Sequence, residues 1–240
     1  MVEFTLLDNW KSVLTTQNLP PEREMDLVSK WLLIIRASVF PMTITSGAIG
    51  GLLALAGPTP ASANWLAFAA AMLGLVLAHA ANNMMNDYFD TISGVDTEGY
   101  VRGQYAPHPI LSGLVSKGGL IAAIAVVNLL DLGILAWLTQ ERGPLVVVFA
   151  LLGLFISVFY VAPPLRLKHR GWGEPSVAIV WGPLMIVGTY FVTTGEIHPW
   201  VFVASLPYAI LVTTVLIGKH IDKHDADRAK GIHTLPVILG

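Results

Sequence analysis

The densest chemistry in the chain lies between Asn82 and Asp96, in the run Asn-Asn-Met-Met-Asn-Asp-Tyr-Phe-Asp-Thr-Ile-Ser-Gly-Val-Asp. It follows an apolar stretch and fills abruptly with carboxylates and carboxamides. Asn82, Asn86 and Asp90 recur at every fourth residue, so on a helix they share one face. Asp87 lies roughly 100° round from Asn86, close enough to converge on the same ligand. Carboxylates gathered at the mouth of an apolar helix repel one another unless a cation collects them. Oxygen donors without thiolates suit a hard cation such as Mg²⁺, which commonly bridges carboxylates to phosphate oxygens. A solvated helix end would have a similar composition. A second acidic run near the far end of the chain argues against that plainer reading.

The second run is Lys219-His-Ile-Asp-Lys-His-Asp-Ala-Asp-Arg228. Asp222, Asp225 and Asp227 place three carboxylates within six residues, again after an apolar stretch. His220 and His224, four apart, raise a zinc reading with Asp227, but the Glu of an H-E-x-x-H pattern is missing. Basic groups lie in the loops between the two runs: Arg102 and His108 in the first, Arg166, Lys168 and Arg170 in the second. Carboxylates with a ring of Arg and Lys make a charge-matched receptor for Mg²⁺ and a diphosphate. Ordinary basic loops beside a membrane would supply the same residues one at a time.

The elements that must position these groups are transmembrane helices. The chain of 240 residues is 54% hydrophobic and only 12% charged, with a mean hydropathy of +0.65. Soluble domains carry about twice that charge, so the composition belongs to a bilayer. The absence of cysteine excludes disulfides and thiolate metal sites. A net charge of −2 gives no reason to expect nucleic acid. No secretory signal pattern precedes the first apolar run.

Residues 1–30 are mixed and charged, with Pro20-Pro21 in the middle. They are expected to form a cytosolic lead-in with an interfacial helix. Residues 31–240 are expected to hold six spans, near 31–56, 64–86, 119–138, 144–161, 175–194 and 199–217. Pro41 is expected to fall inside the first span, leaving a backbone group for a neighbour to satisfy. Arg142 apart, the 14 Lys and Arg fall in the N-terminal segment, at the start of span one (Arg36) or in the connections after spans two, four and six. That alternation predicts a cytosolic face carrying both acidic runs and the basic loops. Asp131, within span three, is an intramembrane acid that either works or hydrogen-bonds a neighbouring helix.

Three runs together carry a resemblance: Asn86-Asp-Tyr-Phe-Asp90 with Gly94 and Asp96; Tyr160-Val-Ala-Pro-Pro-Leu-Arg-Leu-Lys168-His-Arg-Gly-Trp-Gly173-Glu174; and Asp227-Arg-Ala-Lys-Gly231-Ile-His-Thr-Leu-Pro236. In this order they resemble the UbiA superfamily of membrane prenyltransferases. The first run is most similar to the branch that prenylates 1,4-dihydroxy-2-naphthoate in menaquinone synthesis. The resemblance implies an all-α bundle of nine helices around a cavity, two Asp-rich motifs holding Mg²⁺ against a prenyl diphosphate, and an apolar tunnel for the isoprenyl tail. It implies Mg²⁺ ligands among Asn82, Asn86, Asp87, Asp90, Asp96, Asp222, Asp225 and Asp227, with Asp87, Asp90 and Asp227 catalytic. Arg102, Arg166, Lys168 and Lys219 would face the diphosphate. The partners implied are a prenyl diphosphate, an aromatic acceptor and the bilayer, in the plasma membrane of a prokaryote.

Two departures bear on this reading. The family's second motif places an Asp where this chain has Lys223, so Asp222 or Asp225 must serve instead. The chain also stops at Gly240, directly after that motif, so the domain at 31–240 is expected to be incomplete by three helices. A hydroxybenzoate, chlorophyllide or lipid acceptor remains open. So do an alcohol phosphotransferase, for which the expected D-G-x-x-A-R run is absent; a transporter, whose polar groups would lie at the midplane rather than at one interface; and a non-catalytic membrane protein. The small residues Gly182, Gly188 and Ser205 are expected to open a slot for a fused ring.

Overall fold

A computed structural model describes residues 5–57, 63–97, 99 and 106–240. Among these residues every regular element is helical, and one isolated bridge pairs Arg170 with His233. The chain is all-α. The helices are α1 (Leu6–Thr16), α2 (Leu27–Ile34), α3 (Phe40–Ala56), α4 (Trp65–Ile92), α5 (Lys117–Arg142), α6 (Leu145–Val161), α7 (Gly173–Thr194), α8 (Pro199–Asp222), α9 (His224–Ala229) and α10 (Leu235–Leu239). α4, α5, α7 and α8, and α3 with the short turn before it, are long and apolar enough to cross a membrane. α6 is equally apolar but has 17 residues, about 25 Å of helix against a hydrocarbon core of about 30 Å.

The first expected span differs in detail. The helix does not run unbroken from Trp31. α2 ends at Ile34, Arg36 takes a left-handed backbone at φ 54°, and a 3₁₀ turn at Ala37–Val39 leads into α3. Pro41 therefore sits in the first turn of α3, where its missing N–H leaves no bond unmade. The expected cost of a proline in mid-helix does not arise there. It arises at Pro183 instead, where α7 opens into a π-type segment over Val180–Leu184 and Gly182 leaves helical geometry. The Ser46 hydroxyl donates to the Trp181 carbonyl, and Trp181 Nε1 donates to Thr43 Oγ1 at 3.2 Å. Ser46 thus satisfies one carbonyl of the disturbed backbone, as a membrane interior requires.

The chain divides into two compact units. The first comprises Met1–Pro41 and His79–Val127. A capping box between Thr5 and Asp8 starts α1, and Asp26 caps α2 by accepting from the N–H groups of Val28 and Ser29. Asn9 and Trp10 of α1 also donate to Asp26, at 3.2 and 3.1 Å, so one carboxylate ties the two helices together. Ile34, Met84 and Leu120 are buried at the centre of this unit, with Trp31, Tyr88 and Ile110 packed round them.

The second unit comprises Met42–Ala78 and Asn128–Gly240. Its buried centres are Ala67, Leu138, Val146 and Phe191, and Ala54, Ile186, Tyr190 and Val201. Gly50 lets α3 lie against the α7 backbone: a Cβ there would meet the Ile186 carbonyl oxygen at 2.5 Å. Arg142, at the end of α5, donates to the carbonyls of Val192 and Thr193 at 2.7 and 2.9 Å, closing the end of α7. The Asp131 carboxylate lies against α4 at Gly74, where a Cβ would be 3.0 Å from Oδ1.

Candidate functional site

α4 has 28 residues, or about 42 Å of helix, so its last turns reach past a hydrocarbon core of about 30 Å. The acidic residues occupy those last turns, within the helix rather than after it. Gly94 then takes a left-handed turn at φ 72°, and the N–H groups of Val95 and Asp96 both donate to the Asp90 carbonyl, at 2.9 and 3.0 Å. This cap folds Asp96 back toward the helix that it ends.

The result is a buried carboxylate group. Asp87 has no exposed surface, and Asp96 and Asp90 are 5% and 7% exposed. One carboxylate oxygen each from Asp87 and Asp96 lies with a His108 ring nitrogen inside 4.8 Å. Arg36 forks onto Asp87: Nη2 pairs with Oδ1, and Nε donates to Oδ2 at 3.2 Å. Burial works against a charged guanidinium, but Asp87, with Asp96 and Asp90 beyond it, outweighs burial and holds the Arg36 pKa above its ordinary value. Asn83 Nδ2 donates to the Ile35 carbonyl at 3.0 Å, which holds the break between α2 and α3 that aims Arg36. His108 Nε2 lies 3.2 Å from Asp96 Oδ2 and 3.7 Å from Asp87 Oδ1.

Of the expected ligands in this run, Asp87 and Asp96 converge, and Asp90 is buried and accepts the Asp96 N–H at its carbonyl. Asn86 Oδ1 is buried and takes part in no hydrogen bond with the described residues. Asn82 is half-buried one turn earlier. Arg102 lies outside the described residues. Arg36 and Asn83 carry no motif, but an arginine at the mouth of an apolar helix is a signal in itself, because it needs a partner.

The second unit treats its acids differently. Asp227 is 1% exposed, with Lys223 Nζ 3.4 Å from Oδ1. Asp222 is exposed on α8, and Asp225 is fully exposed with His224 Nδ1 at 2.9 Å. Lys223, which stands where the family pattern has an acid, is therefore the ion-pair partner of Asp227. His220 is buried against Glu174, Nδ1 to Oε1 at 2.6 Å, and Oε1 also accepts the Leu235 N–H at 3.3 Å. That commits His220 elsewhere, and among the described residues no zinc-type group forms from His220, His224 and Asp227. Glu174 and His220 form one buried pair although 46 residues separate them in the sequence. Lys168 is 8% exposed, Arg166 is half-buried in a left-handed conformation at φ 45°, and Lys219 is exposed. The expected slot is filled: Gly182 abuts Ala209, Gly188 meets the Phe149 ring, and Ser205 has no exposed surface.

Residues 44–240 match the UbiA prenyltransferase family. The chain belongs to that family. A 1,4-dihydroxy-2-naphthoate octaprenyltransferase of Bacillus subtilis is 24% identical over 182 residues, covering 73% of this chain and 55% of that protein. A chloroplastic chlorophyll synthase of Arabidopsis thaliana is 31% identical over 167 residues, covering 65% and 39%. UbiA prenyltransferase domain-containing protein 1 of Danio rerio is 26% identical over 227 residues, covering 90% and 64%. The chain thus spans between two fifths and two thirds of these relatives' lengths. A solved structure described as digeranylgeranylglyceryl phosphate synthase in membranes shares the fold, with a TM-score of 0.65 at 17% identity over 89% of this chain and 69% of that one. The UbiA chain is an integral membrane protein, with several apolar helices of spanning length.

UbiA members generally use Mg²⁺ held by acidic residues, and the first unit passes a direct test of fit. Its donors are carboxylate oxygens, two of them convergent, and a buried carboxamide oxygen of Asn86 lacks a partner among the described residues. Hard oxygen donors of this kind suit Mg²⁺.

Proposed function

We propose that the protein moves an isoprenyl group from a prenyl diphosphate to an aromatic acceptor, with 1,4-dihydroxy-2-naphthoate as the acceptor and Mg²⁺ as the cofactor. The observation that carries the reading is the buried, convergent pair Asp87 and Asp96 in a chain of the UbiA family. Asp87, Asp90, Asp96, Asn86 and Asn82 are the proposed Mg²⁺ residues of the first unit, and Asp222, Asp225 and Asp227 those of the second. A bound Mg²⁺ would neutralise charge developing on the departing diphosphate.

The chain's own groups do the rest. Arg36 keeps Asp87 ionised and aimed. Arg102, Arg166, Lys168 and Lys219 are assigned to diphosphate oxygens, where cationic donors favour the charge of the leaving group. The allylic C–O bond breaks with its electron pair going to the diphosphate, and the apolar surroundings keep water from the carbocation. The acceptor ring, activated by loss of a phenolic proton, forms the new C–C bond. With a hydroxynaphthoate, carbon dioxide then leaves from the carbon attacked. We place this chemistry on the cytosolic face of a prokaryotic plasma membrane, from the distribution of Lys and Arg.

A chlorophyllide acceptor is the second reading, favoured by the 31% identity to a chlorophyll synthase. The test offers dihydroxynaphthoate, 4-hydroxybenzoate, a chlorophyllide or no acceptor to the full-length protein with radiolabelled geranylgeranyl diphosphate, with and without a chelator. The expected product is a prenylated naphthoquinone precursor, abolished by chelation and by Asp90→Ala or Asp227→Ala. Product from the chlorophyllide alone overturns the acceptor, and full activity in excess chelator overturns the metal assignment.

A further inference from the structure

We propose that His108 is not a metal ligand but a positioning residue that holds Asp96 in place for the cation; this rests on the Mg²⁺ reading given above. Distance alone groups His108 with Asp87 and Asp96 as a metal-binding trio. The hydrogen bonds say otherwise. His108 Nδ1 lies 3.2 Å from the N–H groups of both Ile110 and Leu111, and a backbone N–H can only donate. Nδ1 is therefore an acceptor, and the ring's hydrogen sits on Nε2.

The ring is fixed from both sides. The His108 N–H donates to Ser112 Oγ at 3.0 Å, the Ser112 N–H donates back to the His108 carbonyl at 2.9 Å, and the side chain is 2% exposed. Nε2, carrying its hydrogen, then points at Asp96 Oδ2 at 3.2 Å, with Thr91 Oγ1 at 3.4 Å and Asp87 Oδ1 at 3.7 Å. A nitrogen bearing a hydrogen has no lone pair in the ring plane for a metal. What it can do is donate to Asp96 Oδ2 and fix the orientation of that carboxylate for a cation. Partners of this kind orient metal-binding carboxylates and typically contribute 10–100-fold in metal affinity.

The ring's two nitrogens can be tested separately. Asn at 108 places an amide near Nδ1, keeping an acceptor for the turn but losing the donor to Asp96. Gln places its amide near Nε2, restoring the donor but not the turn acceptor. The full-length protein in detergent is titrated with Mn²⁺ as a Mg²⁺ substitute, and pulsed electron paramagnetic resonance reads ¹⁴N coupling at the bound ion. Expected results are bound Mn²⁺ without a directly coordinated nitrogen, binding weakened about 10–100-fold in His108→Asn, and most of that loss recovered in His108→Gln. A coordinated ¹⁴N signal that disappears in His108→Asn makes His108 a ligand and overturns the proposal. So does unchanged Mn²⁺ binding in His108→Asn, or equal weakening in both variants, which would mark a role in the turn alone. Failure of the unsubstituted protein to bind Mn²⁺ overturns the metal reading itself and the proposal with it, whereas the other failures leave that reading standing.

Discussion

Arg36→Met isolates the ion pair at the base of the first acidic group. The substitution keeps most of the apolar stem and removes the guanidinium. Asp87 has no exposed surface and the Arg36 side chain is 11% exposed, so water cannot replace the lost fork. Breaking a buried pair by removing one partner costs about 3–5 kcal/mol, because the remaining carboxylate loses the guanidinium forked onto it. For a protein of this size about 1 kcal/mol moves the unfolding midpoint by roughly 2–4 °C, so the variant should melt roughly 6–20 °C lower in detergent. Asp87→Asn added to Arg36→Met should recover part of that loss, since the stranded charge is gone. Excess Mg²⁺ should recover part of it in Arg36→Met alone, because a cation would take over the same carboxylate. A midpoint within about 2 °C of the parent, a shift worth under about 1 kcal/mol, would show that the pair is not buried as described. A double variant no better than Arg36→Met would show that the charge on Asp87 is not what the arginine offsets.

Two further outcomes are expected. Hydrogen bonds from Ser29, Trp10 and Asn9 hold Asp26 well below the usual carboxylate range even though partial burial pushes the other way; a depressed folded pKa stabilises above the unfolded value and fails as pH falls below it. Hydrogen-exchange protection over residues 5–34, corrected for intrinsic rates, should therefore be flat near neutral pH and fall below about pH 4, and Asp26→Ala should remove about 0.5–2 kcal/mol at neutral pH; unchanged protection in acid would refute the link. Single cysteines introduced into this cysteine-free chain should label from outside intact cells at Ile197 but not at Gln104 or His169, and labelling at either of the latter would invert the proposed topology.

The spanning helices were legible because long apolar runs leave few alternatives in a bilayer. The break between α2 and α3 was not, because its cause lies 51 residues away in the pair of Arg36 with Asp87. The two acidic runs were legible as candidates, but composition could not say which carboxylates turn inward. On α9 the answer follows from helical geometry: Asp225 and Asp227 are two positions apart and so point to nearly opposite faces, one exposed and one buried. His108 and Glu174 drew attention only as members of a loop and a motif. Their partners, Asp96 and His220, are set by where a turn and a helix happen to end, and no local spacing announces that. Gly182 and Gly188 looked like space for a ligand, and close helix packing accounts for them instead.

In both units the chain gives a buried acid a cationic or hydrogen-bonding partner of its own. Asp87 has Arg36, Asp227 has Lys223 and Glu174 has His220. Bare carboxylates at such burial would take up protons rather than wait for a metal, so an acidic site at the end of a membrane helix needs enough internal compensation to fold and enough residual charge to bind. In the first unit that compensation includes Arg36, forked onto Asp87, and the guanidinium competes with a cation for the same carboxylate. Removing the guanidinium should raise the affinity of the folded site for divalent cations while lowering the stability of the protein without them, a pairing of opposite signs that a purely structural arginine would not produce.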